Sequence, residues 1–417
     1  MPQISEQDGY QRSARVGHRC SDDSRSDDRP RASRIKRLSH LMLLAIGTYS
    51  CSSRALWAQT SDSPTGDAAN SWTATTESQN GNVNPTRTIE SHTQSGNRTL
   101  DKQSLQRHAS DGQFEPYQEI EKETVQLDAT SVRTITRTFS RDANGAKTLV
   151  QVAEEEKDIL PGGDSNVVRT ISNSDGNGNL QLIQRQIEET KKTSADAEET
   201  KTTMMLPTAN GGLAPAMKVQ ERRQRGANDT VESQKTTLLP DGAGNWQVSE
   251  IRRATTTGMT TRNGSTAGSS TDERISRRDA EGRLGEVSRT VSNESESASG
   301  EKRNTAESYS INVPGSASDG SMHLVERAIT AHRTSSTGQQ ITEQQVERPT
   351  PGDPGSALQV TILTTDTVGP GPSGAQATRT VQERGANGSL GVVFVDTTKS
   401  DNLHALQVQI APSEKSK

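Results

Sequence analysis

Asp142-Ala-Asn-Gly145 is the stretch that decides how this chain is organised, because a glycine in the same kind of setting keeps returning along the sequence. Nine such glycines occur, and the first five stand 33 residues apart. Asn-Gly and Asp-Gly dipeptides supply the positive φ that tight hairpin turns need. We therefore expect a structural turn at each of these glycines: Gly112, Gly145, Gly178, Gly211, Gly244, Gly282, Gly320, Gly355 and Gly388.

Segments of strand length lie between the turns. Leu149-Val-Gln-Val152 follows one turn, and Val132-Arg-Thr-Ile-Thr-Arg-Thr-Phe139 precedes it. Thr and Val lose side-chain freedom in helices and favour strands. Each repeat is therefore predicted to contain two strands. In the segment that ends at Phe139, alternation predicts one face with Arg133, Ile135, Arg137 and Phe139 and another with Val132 and threonines.

One repeat gives a conflicting local signal. Leu180, Ile183 and Ile187, followed by charged residues, would alone indicate an amphipathic helix. Because repeats share one structure, the strand assignment is preferred. Adjacent apolar pairs such as Leu149-Val150 break strict alternation, as do Leu182-Ile183 and Leu324-Val325. They predict either a β-bulge or a strand that is apolar on both faces.

The predicted fold is all-β: an elongated antiparallel array of about nine two-strand hairpin repeats of 33–39 residues. A β-solenoid is the alternative. Only 28% of residues are hydrophobic and 2% aromatic, so a thick core is not expected. The repeat region spans 109–417, with units that start near 109, 142, 175, 208, 241, 279, 318, 352 and 385.

The first 58 residues are predicted to be a leader. Arg34-Ile-Lys-Arg37 precedes a short apolar h-region at about 41–51, which is the order found in secretory signal peptides. Cleavage after Ala55 or Ala58 fits equally well. Cys20 and Cys51 both lie in this leader, so the mature chain would contain no thiol. Lipidation of Cys51 and a cytosolic protein with a buried apolar patch are the weaker alternatives.

Residues 59–108 are rich in Ser, Thr, Asn and Gln without a period and are predicted to be a disordered spacer. The whole chain has a formal net charge of −5. A nucleic-acid partner is not expected, because such proteins present a concentrated basic face. The partner is predicted to be a second copy of the chain, bound through open edge strands, or an envelope glycan or protein.

The connections opposite the Asn-Gly turns are predicted to be longer and more tolerant. The extra residues of the fifth and sixth units fall in the Gly/Ser/Thr-rich stretches 257–272 and 293–306. Insertions in repeat proteins collect on one face, which is often the binding face. This edge is therefore the expected location of function.

Several motifs fail a physical check as ligand sites. Asp175-x-Asn177-x-Asn179 begins like a calcium loop, but Leu180 and Gln186 replace its required glycine and glutamate, which favours a plain turn. Gly369-Pro-Gly-Pro-Ser-Gly374 fits G-x-G-x-x-G, but its prolines remove backbone donors, which favours a loop. The histidines outside the leader lack metal-ligand spacing; they are His92, His108, His323, His332 and His404.

Two turns, Asp142-Ala-Asn-Gly145 and Asp279-Ala-Glu-Gly-Arg-Leu284, resemble the core of the tyrosine–aspartate repeats of large bacterial surface and toxin-delivery shells. The resemblance covers the turn alone, because those repeats are shorter and carry a tyrosine where this chain has Arg141, Arg278 or Ser174. It is interpreted as shared hairpin chemistry and not as family membership.

These observations predict an exported, non-enzymatic repeat protein, a structural or adhesive element of the bacterial envelope or extracellular space, without catalytic, cofactor-binding or metal residues. The alternative is a glycan-active enzyme or carbohydrate-binding module on a β-solenoid. Trp246, Tyr309 and Phe394, which could form sugar platforms, lie far apart in the chain. A transmembrane span in the mature chain is not predicted. A membrane barrel is not expected, because aromatic girdles and an apolar band are missing.

Overall fold

The computed structural model describes residues 71–400 apart from 81–82, 143, 176, 228, 261–266, 298, 314–319 and 372–373. The described residues belong to the compact unit Ser61–Pro412. The predicted leader, its cleavage sites, both cysteines and His404 lie outside them.

Twenty β-strands make up the fold of the described residues. They are β1 Ser71–Asn80, β2 Val83–Ser95, β3 Arg98–His108, β4 Phe114–Gln126, β5 Ser131–Arg141, β6 Lys147–Ile159, β7 Ser165–Ser174, β8 Leu180–Ser194, β9 Ala197–Pro207, β10 Leu213–Arg225, β11 Thr230–Pro240, β12 Trp246–Thr260, β13 Ala267–Arg278, β14 Leu284–Glu296, β15 Lys302–Ser310, β16 His323–Thr334, β17 Gln340–Arg348, β18 Gln359–Gly371, β19 Gly374–Arg384 and β20 Leu390–Ser400. A 3-10 turn, Pro161–Gly163, separates β6 from β7.

The strands close into an antiparallel barrel. Each strand pairs with its chain neighbours, and β1 also pairs with β20, from Ala74 opposite Ser400 to Asn80 opposite Phe394. The all-β prediction is confirmed, but the predicted open, elongated array is wrong, and so is the β-solenoid alternative. Closure satisfies the backbone groups that an open sheet would leave at its first and last strands. Self-association through those open edges is thereby lost as a mechanism.

In the described part of the chain, nine β-bulges along the rim of the turn glycines provide a physical reason for closure. In every second strand one residue is skipped in the register, and in eight cases it lies five residues after the turn glycine. Bulges increase the local right-handed twist, so a row of them along one rim coils the sheet until its ends meet. The bulged residues are Tyr117, Val150, Ile183, Ala216, Ser249, Val287, Val325, Thr361 and Val393.

The bulges also decide between two readings of the sequence. Val150, Ile183 and Val325 are the second members of the adjacent apolar pairs that interrupted alternation. The bulge prediction is confirmed at all three. The strand assignment for Leu180–Ser194 is confirmed as well, because this segment is β8 and pairs along its length with β7 and β9.

The barrel is wide and thin-walled. Twenty strands spaced about 4.8 Å apart give a diameter of roughly 30 Å before strand tilt is included, too wide for side chains to fill. Few described hydrophobic residues are buried: Ala74, Val152, Val313, Val368, Ala375 and Ala377. The chain therefore has no thick core among its described residues, because both faces of the barrel wall are accessible.

Two predicted boundaries need correction. The second half of the predicted spacer, residues 71–108, forms β1, β2 and β3. The Ser- and Thr-rich composition gave no hydrophobic period, yet threonine is a good strand residue once neighbouring strands supply ladder partners. The barrel therefore begins before the first repeat turn.

The prediction of longer loops at the edge opposite the Asn-Gly turns is also wrong. Residues 257–260 and 267–272 belong to β12 and β13, and residues 293–296 and 302–306 belong to β14 and β15. In the fifth unit the strands take up part of the extra length, with 15 residues in β12 and 12 in β13, whereas the strands of the sixth unit have only 13 and 9 residues and its extra residues fall after β15. The longest connections, 311–322 and 349–358, lie on the same edge as the Asn-Gly turns.

Candidate functional site

Alternation along the strands and the pairing register divide the wall into two faces. Residues paired across strands share a face, so the face can be followed around the barrel. One face carries Thr134 and Thr136 of β5 and is called the threonine face. The other carries Arg133, Ile135 and Arg137 and is called the arginine face. The predicted division of this strand into two faces is confirmed.

The threonine face is assigned to the lumen. Side chains converge on the concave side of a barrel, and the buried small residues Ala74, Ala375 and Ala377 lie on this face. Burial raises the pKa of Glu188 and of Asp396, which also lie on it. By contrast, hydrogen bonds led by Arg289 lower the pKa of Asp272 on the arginine face. The arginine face is therefore the outer surface.

Ion pairs between neighbouring strands cover much of the arginine face. Glu119 in β4 accepts from Arg141 at 2.5 Å and from Lys147 at 2.8 Å, and Lys147 also contacts Glu121 at 3.0 Å. The Lys147 hydrogen bond, helped by Arg141, lowers the pKa of Glu119 against the opposing effect of burial. Cross-strand pairs of this type contribute about 0.2–1 kcal/mol each.

Three of the aromatic rings serve as partners for cations. Lys147 Nζ lies 3.9 Å from the centre of the Phe139 ring, and Lys218 Nζ lies 4.3 Å from that of Trp246. The Arg87 guanidinium lies 4.0 Å from the Phe114 ring. Because each ring is engaged with its own cation, these three do not assemble into a sugar-stacking platform.

Hydroxyl pairs bridge neighbouring strands on the threonine face, once in every four strands. Four are Thr–Thr contacts and one joins His332 Nδ1 to Thr342 Oγ1 at 2.8 Å. We call these five cross-strand contacts hydroxyl rungs, and they stabilise the lumenal face without an apolar layer. The Thr–Thr rungs are Thr124–Thr134 at 3.3 Å and Thr190–Thr200, Thr256–Thr271 and Thr76–Thr398 at 2.9 Å.

The candidate site is the seam where β18, β19, β20 and β1 meet on the threonine face. Arg379 donates to both oxygens of Asp366, at 2.7 and 2.9 Å, and Asp396 lies directly opposite Arg379 on the next strand. Asp396 bonds to Ser78 of β1, while its Oδ1 is buried without a hydrogen-bond partner among the described residues. Two carboxylates thus flank one guanidinium where the barrel closes, and only Asp366 is bonded to it.

Charge and burial act against each other in this seam. The Asp366 hydrogen bonds raise the pKa of Arg379, so Arg379 remains a cation. Burial raises the pKa of Asp396, opposed by Ser78 and Arg379. Sequence reasoning did not identify this cluster, because Asp366, Arg379 and Asp396 are ordinary strand residues that only the pairing of three strands brings together.

The predicted turn glycines lie at hairpin corners along one rim. Eight of the nine have φ between 78° and 93°. The exception is Gly355: its turn has Gly352 at φ 84°, because two consecutive turns, Thr350–Asp353 and Asp353–Ser356, replace the usual single corner. Conformation at this rim therefore depends on glycine rather than on ligand-binding side chains.

An arginine before three of the turns supports the corner, a role that sequence reasoning missed. Arg141, Arg278 and Arg384 each donate from Nη1 to the carbonyl oxygen of the turn glycine four residues later. The signal was present, because arginine occupies the position before the turn where the resembling repeats have tyrosine. These side chains satisfy an exposed carbonyl and brace the turn.

The motifs that resembled ligand sites are structural. Asp175 Oδ1 accepts the backbone N–H groups of Asn177 at 2.8 Å and Asn179 at 3.1 Å, as the plain-turn interpretation predicts. Gly369 and Gly371 lie in β18 and Gly374 begins β19, so that motif is the β18–β19 hairpin. His92 bonds Asp101 at 2.6 Å, and His108 packs edge-on against Phe114.

Small-molecule chemistry finds little support in the described residues. No group of three His, Cys, Asp or Glu side chains there could hold a metal ion. Two shallow depressions of about 270 and 330 Å³ are lined by Thr, Gln, Glu, Lys, Arg and a single valine, whereas ligand pockets are mostly apolar. Within the same part of the chain, no helix is both long and apolar enough to span a membrane.

Comparisons with known proteins do not assign the chain to a family. No protein-family model matches it, and no curated protein matches it. Among solved structures, it matches the crystal structure of the β domain of the Bordetella autotransporter BrkA at 7% identity, over 79% of this chain and 97% of that one. The TM-score is 0.12, so the likeness carries no argument about fold or function.

Proposed function

We propose that this chain is an exported, non-enzymatic structural or adhesive element of the bacterial envelope or extracellular space, and that its barrel stands in water. The observation that carries the proposal is the presence of charged side chains in the middle of strands on both faces. Glu155 and Glu188 lie on the threonine face, and Arg137 and Arg274 lie on the arginine face. Neither face resembles a lipid-facing surface.

A lipid-embedded barrel is the competing reading. Closure and strand lengths of 9–15 residues would suit a bilayer. Composition opposes it, because an outward apolar band about 25 Å tall is needed and a basic residue at the bilayer midplane costs roughly 2–4 kcal/mol. Arg137 and Arg274 would both incur this cost on the outer face.

The non-enzymatic part of the proposal is supported by how the seam carboxylates are used. A glycan-active enzyme needs two carboxyl groups that can reach substrate. The Asp366 side chain is 8% exposed and both of its oxygens are held by Arg379. This arrangement favours a structural role in barrel closure over acid–base chemistry.

Fractionation and phase separation test the proposal. The full chain with its leader is expressed in a Gram-negative host, and the exported fraction is separated with a phase-forming detergent. We expect the protein to be exported and to enter the aqueous phase. Recovery in the detergent phase together with ion conductance in planar bilayers would establish a membrane barrel instead. Degradation of polysaccharides by the purified chain would overturn the non-enzymatic assignment.

A further inference from the structure

A row of arginines crosses five neighbouring strands on the arginine face. Arg253 of β12 is directly opposite Arg274 of β13, which is directly opposite Arg289 of β14. Through Gln234 of β11, the row continues to Arg222 of β10. At about 4.8 Å per strand the row extends roughly 20 Å. We call Arg222, Arg253, Arg274 and Arg289 the arginine rail.

The rail is poorly neutralised from within the barrel. Arg289 and Arg274 share one carboxylate, Asp272, at 2.8–3.0 Å. Among the described residues, Arg253 donates to the neutral amide of Gln234 alone, at 3.1 Å, and both residues are on the outer face. Like charges directly opposite each other in a sheet are destabilising. Other arginines of this face pair with glutamates on neighbouring strands, such as Arg141 with Glu119 and Arg327 with Glu307, so a row of opposed arginines is not explained by stability.

Among the described residues, the carboxylates near the rail form no ion pair with Arg222 or Arg253, although Glu286 attracts Arg289 through space. Glu232 and Glu286 lie in the adjacent rows of the same face, and neither forms an ion pair among the described residues. Glu199 lies opposite Arg222 but is bonded to Lys201 at 3.3 Å. The unused N–H groups of Arg222 and Arg253 therefore point to an external anion as their partner.

We infer that the arginine rail binds an acidic polysaccharide, one that carries carboxylate or sulfate groups at regular intervals. Guanidinium groups form two parallel hydrogen bonds with such anions, which a lysine cannot do. Arg222 is exposed, and the Arg274 and Arg289 side chains are 50% and 41% exposed. A linear chain laid across the strands would meet successive guanidiniums in order.

A polysaccharide fits this surface better than a nucleic acid. The chain is acidic overall, with a formal net charge of −5, and the rail is a single row on a flat wall without an element that could enter a groove. The inference deepens the proposed adhesive function by naming a class of partner. It is tested on purified protein, so it can fail while export and barrel closure stand.

Binding of defined polymers to the purified full chain tests the rail. The probes are polygalacturonate for carboxylate, dextran sulfate for sulfate, neutral dextran as a blank and duplex DNA as the other polyanion class. The test variant is Arg253→Gln with Arg274→Gln. The control is Arg303→Gln with Arg333→Gln, which removes the same charge from exposed positions on the same face of β15 and β16.

We expect the rail variant to bind at least one acidic polysaccharide about tenfold or more weakly, and the control to change less than about twofold. Arg253→Lys should lose part of the affinity because it keeps charge but not geometry. Removing opposed like charges should leave the melting temperature unchanged or raised, so weak binding cannot be attributed to unfolding. Equal losses in both variants, tighter binding of DNA, or no binding of either acidic polysaccharide would overturn the inference.

Discussion

The turn glycines show how much structure a single residue type can carry. Eight of them adopt a φ near +80°, in the left-handed region that side chains with a Cβ rarely enter. A Cβ at Gly145 would meet nothing within 4 Å, so any cost of substitution there comes from the backbone alone.

Gly145→Ala is therefore expected to lower the free energy of unfolding by about 1–2 kcal/mol. Gly285→Ala is the matched control, because Gly285 lies in β14, has no positive φ and also has open space around its Cβ position. The control should be neutral or slightly stabilising. Denaturant unfolding of the two variants measures the difference, and equal effects would show that the turn conformation is not the cause.

The seam and the outer wall should respond to pH in opposite directions. The folded pKa of Asp396 is raised by burial, so ionising Asp396 at neutral pH costs native stability, and the cost is relieved as the pH falls through that pKa. The folded pKa of Glu119 is lowered by Lys147, so its contribution is present above the unfolded pKa and is lost as the pH falls through the folded pKa.

Asp396→Asn is thus expected to raise the melting temperature by a few degrees at pH 7, with the gain shrinking as the pH approaches 4. Glu119→Gln is expected to lower it at pH 7, with the loss shrinking toward the same acid range. Thermal melts across pH check both. A loss of stability in the Asp396 variant at neutral pH would contradict the desolvated-carboxylate account.

At the scale of elements, the bulge is the unit that repeats most faithfully. Val150 is skipped in the register between β5 and β6, so Leu149 pairs with Phe139 and Gln151 with Thr138. Because Leu149 and Gln151 already pair with consecutive residues of β5, removing Val150 would leave these pairs and the faces of β6 unchanged and would turn the strand into a regular ladder.

Deletion of Val150 is expected to keep Lys147 on the same face as Glu119 but to remove the local bend and extra twist of the bulge, and the resulting strain should destabilise the barrel by about 1 kcal/mol. Faster hydrogen exchange limited to this end of β5 and β6 is the expected signature. Val150→Thr, which keeps the extra residue, is the control and should exchange like the parent chain. If hydrogen exchange is unchanged in the deletion variant, the bulge does not stabilise this end of β5 and β6.

Sequence reasoning succeeded where a feature is local. Turn chemistry located the hairpins, β-propensity outweighed the helical spacing of Leu180 and Ile187, and interrupted alternation located bulges such as Val150. It failed at the β12–β13 end and for β1, because Ser, Thr and Gly form strands only when partners are beside them. The seam cluster was missed for the same reason, because Asp366, Arg379 and Asp396 come together only when their strands pair.

At the scale of the whole molecule, closure is the property that the sequence did not predict. Each bulge adds only a small twist, and whether the ends meet depends on the sum around all twenty strands. The decisive contact is Thr76 of β1 with Thr398 of β20, two residues 322 positions apart in the chain.

A disulfide across the seam tests closure directly. Thr76→Cys with Thr398→Cys, in a chain carrying Cys20→Ser and Cys51→Ser, is expected to oxidise readily because the two positions are directly opposite. Thr76→Cys with Thr271→Cys, far around the wall, should stay reduced. Mass spectrometry of the digested protein gives the answer, and an absent seam link would restore the open array.

The hydroxyl rungs set the size of the molecule in discrete steps. Thr124, Thr190 and Thr256 stand 66 residues apart, so two hairpins make one complete structural period. Removing residues 142–207 would join Arg141 to Thr208-Ala-Asn-Gly211 and leave sixteen strands in phase, a tube narrower by about one fifth because circumference follows strand number. Small-angle scattering would detect that change. Gene duplication would in this way adjust the bore of the protein by whole hairpins, while the turns and the hydroxyl rungs keep their spacing along the chain.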